Sequence, residues 1–273
     1  MRLVSFRHAG AAKIGAVVDG GIVDLSARLS SRWPSLREAI AAKALGELAA
    51  AAKGASADLK FDDVELDPVI PNPDKILCIG LNYASHVGEV GRQLPTVPSV
   101  FSRLHNTLVP HGGNIVRPRA SIDFDFEGEL AIVIGRICRD LPKERVDEVI
   151  FGYTVANDVT ARDLQKSDGQ WARAKGYDTF CPLGPWISTE LDVSDVRVTT
   201  TVNGEPKQDG RTSQFIFDIP EVLAYITSFT TLLPGDVILT GTPAGVGPML
   251  PGDEVTVSVE GLGTLTNKVI VRD

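Results

Sequence analysis

Short runs of apolar, mostly β-branched residues separated by polar turns dominate the chain from residue 75 onward. Runs of this length, bounded by Gly, Pro and Asp, are typical of strands. The run at 130–134 is apolar at nearly every position, which predicts a strand buried on both faces. Helical interruptions are predicted at 84–91, 142–150 and 219–230. The pattern therefore predicts an α+β, mainly β fold.

The first 65 residues follow a different pattern. Two strand-like runs at 3–6 and 16–18 lead into the turn Asp19-Gly20-Gly21, which predicts a hairpin. Ser35 and Glu38 have capping-box spacing, and an Ala-rich helix is expected to follow to about residue 52. Three prolines then mark a connector. We predict a small N-terminal α/β domain at 1–65, a linker at 66–74 and a main domain at 75–273.

Composition and charge restrict the partners. Of 273 residues, 43% are hydrophobic and 23% charged, as in ordinary globular proteins. Lys and Arg total 27 against 35 Asp and Glu, so the net charge is −8, which argues against nucleic acid or an anionic membrane as partner. Residues 1–10 lack a continuous apolar segment, so no signal peptide is expected. The scattered cysteines Cys78, Cys138 and Cys181 predict reduced thiols and a cytoplasmic location.

Carboxylates lead into two of the predicted strands. Glu127 and Glu129 are two residues apart and therefore point to the same face, and Asp158 ends the next apolar run. Clustered carboxylates suit a hard divalent cation such as Mg²⁺, Mn²⁺ or Ca²⁺. The alternative is a solvent-exposed polar face. Because acids entering a buried strand need partners, the metal site is favoured.

A histidine and a glutamate form a second candidate constellation. His86 and Glu89 lie three apart on a predicted helix and share one face. A carboxylate beside an imidazole raises its basicity and fixes its tautomer, as a water-activating base requires. The alternative is an ordinary surface pair. The His86–Glu89 pair lies directly after the strand that opens the main domain, and this position favours a role in a functional site.

Polar residues after Asp158 form a third constellation. Arg162, Gln165 and Lys175 supply donors that can stabilise an oxyanion or hold a substrate carboxylate, although such loops are often merely solvated. The glycines within 241–247 can bring backbone N–H groups to an anion, but tight turns between strands explain them equally well.

Five strings follow one another along the chain. They are Gly80-Leu81-Asn82-Tyr83 with His86 and Glu89, Asp125-Phe126-Glu127-Gly128-Glu129-Leu130, Asn157-Asp158-Val159-Thr160-Ala161-Arg162-Asp163, Lys175-Gly176-Tyr177-Asp178-Thr179 with Pro182, and Pro234-Gly235-Asp236 leading to Thr240-Gly241-Thr242-Pro243-Ala244-Gly245-Val246-Gly247. In this order they resemble the fumarylacetoacetate hydrolase family. The resemblance covers about residues 75–270, and the segment 1–65 resembles the variable N-terminal domain of longer members.

The resemblance implies a mixed β-sandwich roll, a homodimer and one Mg²⁺ or Mn²⁺ ion per subunit. The implied metal ligands are Glu127, Glu129 and Asp158. The implied catalytic residues are His86 and Glu89, which activate water, and Lys175, which assists at the developing negative charge.

The resemblance also implies substrate contacts from Gln165 and Thr242, and Arg162 is a further candidate. Many members carry Phe-x-Lys-Pro where this chain has Phe101-Ser102-Arg103-Leu104. Arg103 keeps the positive charge and is expected at the substrate, with a different geometry. The stretch Gly169-Gln170-Trp171 is similar to members that act on sugar-derived diketo acids.

The resulting hypothesis is a hydrolase that cleaves a carbon–carbon bond in a 2,4-dioxo acid, either an acylpyruvate or a sugar-derived diketo acid, and releases pyruvate or a related 2-oxo acid. Oxaloacetate decarboxylase and keto–enol tautomerase or isomerase are the alternatives, because the same enolate chemistry serves all three. The His–Glu pair favours hydrolysis. A non-catalytic relative would be expected to have lost part of the ligand set, which is complete here.

Overall fold

The computed structural model describes residues 1–271. Strands make up 38% and helices 23%, which confirms the α+β, mainly β prediction. The strands of the first half are β1 (Arg2–His8), β2 (Ala11–Val18), β3 (Gly21–Asp24), β4 (Glu65–Leu66), β5 (Ile76–Gly80), β6 (Ser99–Arg103), β7 (Leu108–Val109), β8 (Asn114–Arg117), β9 (Phe124–Phe126) and β10 (Gly128–Ile134). Those of the second half are β11 (Ile150–Asn157), β12 (Thr160–Ala161), β13 (Cys181–Ser188), β14 (Arg197–Val202), β15 (Glu205–Arg211), β16 (Val237–Leu239), β17 (Gly247–Pro248), β18 (Glu254–Val259) and β19 (Gly263–Val271).

Short helices lie between the strands. The α-helices are α1 (Leu25–Arg28), α2 (Leu36–Ala41), α3 (Leu45–Ala52), α4 (Ala84–Glu89), α5 (Arg162–Asp168), α6 (Ala172–Lys175) and α7 (Ile219–Phe229). The 3₁₀ helices are Phe61–Asp63, His105–Thr107, Lys143–Glu148 and Thr212–Gln214. None of the helices within residues 1–271 is long and apolar enough to cross a bilayer.

The described strands form three sheets. The main sheet has the order β3-β2-β1-β13-β11-β10-β16-β5-β6, with β4 added beside β1 and β7 beside β13. A second sheet has the order β15-β14-β18-β19-β8, and a small third sheet the order β12-β9-β17. This arrangement matches the fold of the solved structures described below, so the predicted mixed β-sandwich roll is confirmed.

Strand β10 lies inside the main sheet and is buried on both faces, as its composition predicts. Leu130 and Ile132 belong to a core shared with the second sheet and α7. Ala131 and Val133 belong to a core on the opposite face of the main sheet. The two sets alternate because successive strand side chains point to opposite faces.

The core on that opposite face is covered by the first segment of the chain. Leu36 and Ile40 of α2 and Leu48 of α3 pack in the same cluster as Ala131 and Val133 of the main sheet. Strand β1 also pairs antiparallel with β13. The first segment therefore extends the main sheet. The predicted division into 1–65, 66–74 and 75–273 stays a prediction, because it concerns whether these parts fold independently.

Several local predictions differ from the structure. The Ala-rich helix is two helices, interrupted at Lys43, whose φ is +57°. Ser35 makes no capping bond to the backbone, because its hydroxyl bonds the Glu38 carboxylate instead. The segment predicted as a helix at 142–150 is the 3₁₀ helix Lys143–Glu148. Tertiary packing overrides helix propensity at these positions.

Candidate metal centre

The pairing of β10 with β11 assembles the three predicted metal ligands. Gly128 lies opposite Asn157 in the ladder, so the residues beside them, Glu127 and Asp158, meet at one end of both strands. The backbone N–H of Asp158 donates to the Glu127 carbonyl at 2.8 Å. Together with Glu129 these residues place one carboxylate oxygen each within 4.8 Å of one another, and all three are buried.

Lys175, at the end of α6, lies between two of these carboxylates. Its ammonium donates to Glu127 Oε2 at 2.8 Å and also bonds Asp158 Oδ2. Burial lowers the pKa of Lys175, but Asp158 and Glu127 outweigh that effect and raise it above the ordinary value. In this conformation Lys175 therefore balances the charge of two proposed metal ligands.

Arg162, at the start of α5, bridges three polar side chains. It donates to Asp125 Oδ2 at 2.8 Å, to Glu127 Oε1 at 2.6 Å and to Gln165 Oε1 at 2.7 Å. Burial alone raises the pKa of Glu127, but Lys175 and Arg162 overcome it and lower that pKa below its usual range. Glu127 is thus a firmly ionised group with two cationic partners.

Arg103 lies behind Asp158 with its side chain completely buried. Its Nε bonds Asp158, and its Nη1 donates to the carbonyls of Lys175 at 2.5 Å and Phe180 at 2.9 Å. Its Nη2 donates to the Val159 carbonyl at 2.7 Å. Every guanidinium nitrogen therefore bonds to protein in this structure, and the substrate contact predicted for Arg103 is not among these bonds.

Glu129 has no cationic partner within the described residues. Its Oε2 accepts the backbone N–H of Gly241 at 2.7 Å. Burial, followed by the neighbouring Asp158 and Glu127 carboxylates, raises the pKa of Glu129 well above its ordinary value. An oxygen-rich donor set with one uncompensated carboxylate fits a hard divalent cation, because such an ion takes oxygen ligands and supplies the missing positive charge.

The loop between β16 and β17 holds two carboxylates through glycine N–H groups. Gly241 donates to Glu129, and Gly245 donates to Glu89 Oε1 at 2.9 Å. Both glycines have left-handed backbones, with φ of +100° and +97°. A Cβ at Gly245 would lie 2.0 Å from the Lys207 carbonyl oxygen. The anions that the glycine N–H groups of 241–247 contact are therefore carboxylates of the protein itself.

His86 and Glu89 form the predicted pair on α4. The distance between His86 Nδ1 and Glu89 Oε2 is 3.0 Å. Since the other Glu89 oxygen accepts Gly245 N–H, the carboxylate acts as an acceptor, and we assign the proton to Nδ1. The His86 Nε2 then keeps a free lone pair.

A cavity of about 140 Å³ brings the two constellations together. His86, Glu127, Arg162 and Gln165 all line it. Four of the predicted site residues thus face one space, although up to 79 positions separate them along the chain. The cavity therefore brings together the histidine of the predicted pair, a proposed metal ligand and two further polar side chains.

Thr242 lies next to the cluster but is not among the residues that line this cavity. Its hydroxyl donates to the Gly128 carbonyl at 2.9 Å and accepts from Gln208 Nε2 at 2.7 Å. Gln208 Oε1 in turn accepts the Gly128 N–H at 2.9 Å. Gln208 therefore supports the start of β10, a role that the sequence analysis missed because no local pattern links positions 80 residues apart.

Comparison with known proteins places this site in a family context. The sequence profile described as fumarylacetoacetate (FAA) hydrolase C-terminal matches residues 75–270. A rat protein, oxaloacetate tautomerase Fahd2a, mitochondrial (Rattus norvegicus), is 35% identical over 288 residues, which cover 99% of this chain and 92% of the relative.

Two solved structures are similar over the full length of both chains. One is 5-carboxymethyl-2-hydroxymuconate delta-isomerase from Mycobacterium smegmatis, with 39% identity and a TM-score of 0.83. The other is maleylpyruvate hydrolase from Sphingobium sp. SYK-6 in complex with manganese (II) ion and pyruvate, with 30% identity and a TM-score of 0.86. Each alignment covers 100% of this chain and 100% of the other.

Proposed function

This chain belongs to the fumarylacetoacetate hydrolase family of enzymes, and on that basis we propose that it is a divalent-metal-dependent hydrolase that cleaves a carbon–carbon bond in a 2,4-dioxo acid. The substrate would be an acylpyruvate or a sugar-derived diketo acid. The observation that carries the proposal is the shared cavity, in which His86 of the His86–Glu89 pair faces the same space as Glu127.

Glu127, Glu129 and Asp158 would hold one Mg²⁺ or Mn²⁺ ion per subunit. Support comes from their convergence, and from the similar maleylpyruvate hydrolase whose structure contains manganese (II) and pyruvate. When bound, the ion would supply positive charge for the carboxylate and keto oxygens of a 2-oxo acid. Ca²⁺ also suits an all-oxygen donor set.

His86 acts as the base in this proposal. Its Nε2 takes a proton from water, and the hydroxide oxygen attacks the C4 carbonyl carbon of the substrate. The C3–C4 bond then breaks, and its electron pair stays on C3 as the enolate of the 2-oxo acid. The imidazolium returns the proton to C3. One water is consumed, and one carboxylic acid and one 2-oxo acid are released.

Four further residues have proposed supporting roles. Arg162 and Gln165 bind the substrate from the cavity wall. Lys175 balances the ligand carboxylates and assists as negative charge develops. Arg103 holds Asp158 in position rather than contacting substrate, because it is not among the residues that line the cavity and its N–H groups bond Asp158 and backbone carbonyls.

A second candidate, oxaloacetate tautomerase, is favoured by the rat relative of that name, whose alignment covers 99% of this chain. The same His86 could move a proton between C3 and the enol oxygen without breaking a carbon–carbon bond. Oxaloacetate decarboxylation would instead release CO₂ and pyruvate. Hydrolysis ranks first because the His86–Glu89 pair is the part of the site that attack by water requires.

Product analysis separates these reactions. The purified protein would be incubated with acylpyruvates, sugar-derived diketo acids and oxaloacetate, with Mg²⁺, with Mn²⁺ and with EDTA. We expect equimolar carboxylic acid and 2-oxo acid from a 2,4-dioxo acid, and loss of activity with EDTA. Enol–keto conversion of oxaloacetate, or CO₂ release from it, without cleavage of any 2,4-dioxo acid would overturn the proposal.

The base role has its own test. His86→Asn is expected to reduce kcat for hydrolysis by about 10²- to 10⁴-fold and to leave Mn²⁺ affinity, measured by calorimetry, within threefold. Ser85→Ala on the exposed side of the same helix is the matched control. Equal losses of metal affinity and kcat in His86→Asn would count against the base role.

We also propose a homodimer that acts in the cytoplasm on small 2-oxo acids, with no nucleic-acid or membrane partner. The buried, unbridged Cys78, Cys138 and Cys181 are consistent with a reducing compartment. Light scattering on the purified protein tests the dimer.

A further inference from the structure

A cleft of about 790 Å³ lies where the end of the first segment meets the rest of the chain. It is lined by residues within 61–66 on the side of the first segment, and by residues within 110–113, Pro185, Trp186 and Thr264 from the rest of the chain. Its volume falls in the range of about 300–1,000 Å³ that is usual for small-molecule sites. None of the residues that line this cleft lines the cavity beside the acid cluster, so the proposed function leaves the cleft unexplained.

The apolar lining of the cleft consists largely of rings. The rings of Phe61 and Trp186 are 6.3 Å apart between centroids, and Pro110 and Pro185 add two pyrrolidine rings. A Cβ at Gly263 would lie 2.7 Å from the Trp186 ring, so this ring is closely packed on one side. Flat, firmly held surfaces of this kind suit an aromatic ligand, because aromatic groups pack well against one another.

The charged groups of the cleft are acidic. Asp62 and Glu65 line it with exposed carboxylates, whereas no Lys or Arg is among the described residues that do so. Arg7 lies opposite Glu65 in the pairing of β1 with β4, but its Nε donates to Asp67 at 3.2 Å instead. Neither Asp62 nor Glu65 forms an ion pair in the part of the chain that the structure describes. Both carboxylates are therefore free to bind a cation from outside.

Two nearby groups do not offset this negative charge inside the cleft. The Arg2 guanidinium lies over the Trp186 ring, 5.2 Å from its centroid, but Arg2 is not among the lining residues. His111 accepts the Thr266 N–H on Nδ1 at 3.1 Å, so we assign its proton to Nε2. Burial lowers the pKa of His111, which keeps this lining residue neutral near pH 7.

We propose that this cleft is a binding site for a small aromatic amine in its protonated form, that is, an arylalkylammonium ion. The ammonium group donates to Asp62 and Glu65, and the aromatic ring packs against Phe61 and Trp186. An anionic molecule, such as the 2-oxo acids of the proposed reaction, meets only negative charge here. The bound amine bridges the first segment and the rest of the chain. The site does not depend on which reaction the acid cluster supports.

Matched ligands test the charge preference without any turnover. Calorimetry would compare 2-phenylethylamine and tyramine with the neutral 2-phenylethanol and the anionic 3-phenylpropionate. We expect the amines to bind at least about fivefold more tightly than the alcohol, because an exposed ion pair contributes up to about 1 kcal/mol. We expect 3-phenylpropionate to bind most weakly and the preference to shrink as ionic strength rises. Equal affinities for amine and alcohol would overturn the site.

Variants assign the preference to the two carboxylates. Asp62→Asn and Glu65→Gln should each reduce the amine-to-alcohol affinity ratio at least about twofold, and the double variant should bring the ratio close to unity. Asp63→Asn is the matched control, because it removes a neighbouring exposed carboxylate that does not line the cleft. A ratio that the double variant leaves unchanged, or that Asp63→Asn lowers equally, would overturn the assignment.

The tryptophans report where the amine binds. In two-dimensional NMR, 2-phenylethylamine should shift the indole N–H resonance of Trp186, which Trp186→Phe assigns. The resonance of Trp171 should stay in place, because Trp171 lines the cavity beside the acid cluster instead. A shift of Trp171 without a shift of Trp186 would show that the amine enters that cavity, and would overturn the proposal. Neither result bears on whether the protein cleaves a 2,4-dioxo acid.

Discussion

At the residue scale, Glu127 and Glu129 differ in a way that their spacing does not reveal. Glu127 has two cationic partners, Lys175 and Arg162, whereas Glu129 accepts only a backbone N–H in the described structure. Their pKa values move in opposite directions for that reason. Glu127 is part of an ion-pair network, and Glu129 is the carboxylate whose charge the proposed metal ion would offset.

Amide substitutions should separate these two roles. Glu127→Gln is expected to weaken metal binding and to destabilise the metal-free protein by about 3–5 kcal/mol, because it leaves two buried cations short of a partner. Glu129→Gln is expected to weaken metal binding without lowering metal-free stability. Urea unfolding with EDTA and Mn²⁺ titration measure both quantities. Equal destabilisation by the two variants would contradict this assignment.

Lys175 offers a second residue-scale prediction. Lys175→Met keeps the length of the side chain but removes the charge that neutralises Glu127 and Asp158. With less competition for these carboxylates, we expect tighter Mn²⁺ binding. We also expect kcat at saturating Mn²⁺ to fall about 10²- to 10³-fold if the ammonium stabilises developing negative charge. An unchanged kcat would restrict Lys175 to charge balance.

The sequence predicted which acids would meet, but not what surrounds them. Strand periodicity placed Glu127 and Glu129 on one face, and helical spacing paired His86 with Glu89. The bonds from Arg103 to the Val159 and Phe180 carbonyls could not be predicted, because they depend on the tertiary path of segments far apart along the chain.

At the element scale, the loop from β16 to β17 contacts both the acid cluster and the His86–Glu89 pair, through Glu129 and Glu89. Gly245→Ala is expected to distort this loop, because a Cβ there meets the Lys207 carbonyl and the backbone is left-handed. Loss of the N–H bond to Glu89 should lower kcat at least tenfold while Mn²⁺ affinity changes less. Steady-state kinetics and metal titration measure the two effects.

Gly252→Ala is the matched control for that loop. Gly252 has φ of +99°, close to the value at Gly245, but its added Cβ would meet nothing within 4 Å. We expect a stability loss of about 1 kcal/mol from the left-handed conformation and no change in kcat. A comparable fall in kcat in both variants would show that general backbone strain, rather than the bond to Glu89, is responsible.

Elements with strong periodicity were predicted more closely than those decided by packing. The apolar run at 130–134 became an interior strand of the main sheet, and the stripe in 219–230 became α7. The Ala-rich helix was predicted as one element because alanine favours helix everywhere, so its sequence contains no signal for the break at Lys43.

At the scale of the whole molecule, the first segment completes the main sheet. The sheet face that carries Ile76, Val133 and Leu239 packs in one cluster with Leu36 and Leu48. The mainly β class was predictable because strands have local signatures. The pairing of β1 with β13 was not, since it joins positions about 185 residues apart without any local signal.

Deletion of residues 1–65 tests this continuity. Each large apolar side chain exposed costs about 1.5–3 kcal/mol, and a typical protein has only about 5–15 kcal/mol of stability. We therefore expect the shortened chain to aggregate or to lack fixed tertiary structure by near-ultraviolet circular dichroism. A shortened chain that unfolds cooperatively and retains turnover would instead establish 1–65 as a separate domain.

The two halves of the site are anchored very differently. The acid cluster is built into the ends of buried strands, whereas His86 and Glu89 sit on a helix of six residues. Substitutions between β5 and β6 can therefore change the residues proposed for proton transfer without altering the strands that carry the proposed metal ligands. In the proposed enzyme, the chemical step and the binding of the 2-oxo end are consequently open to separate change.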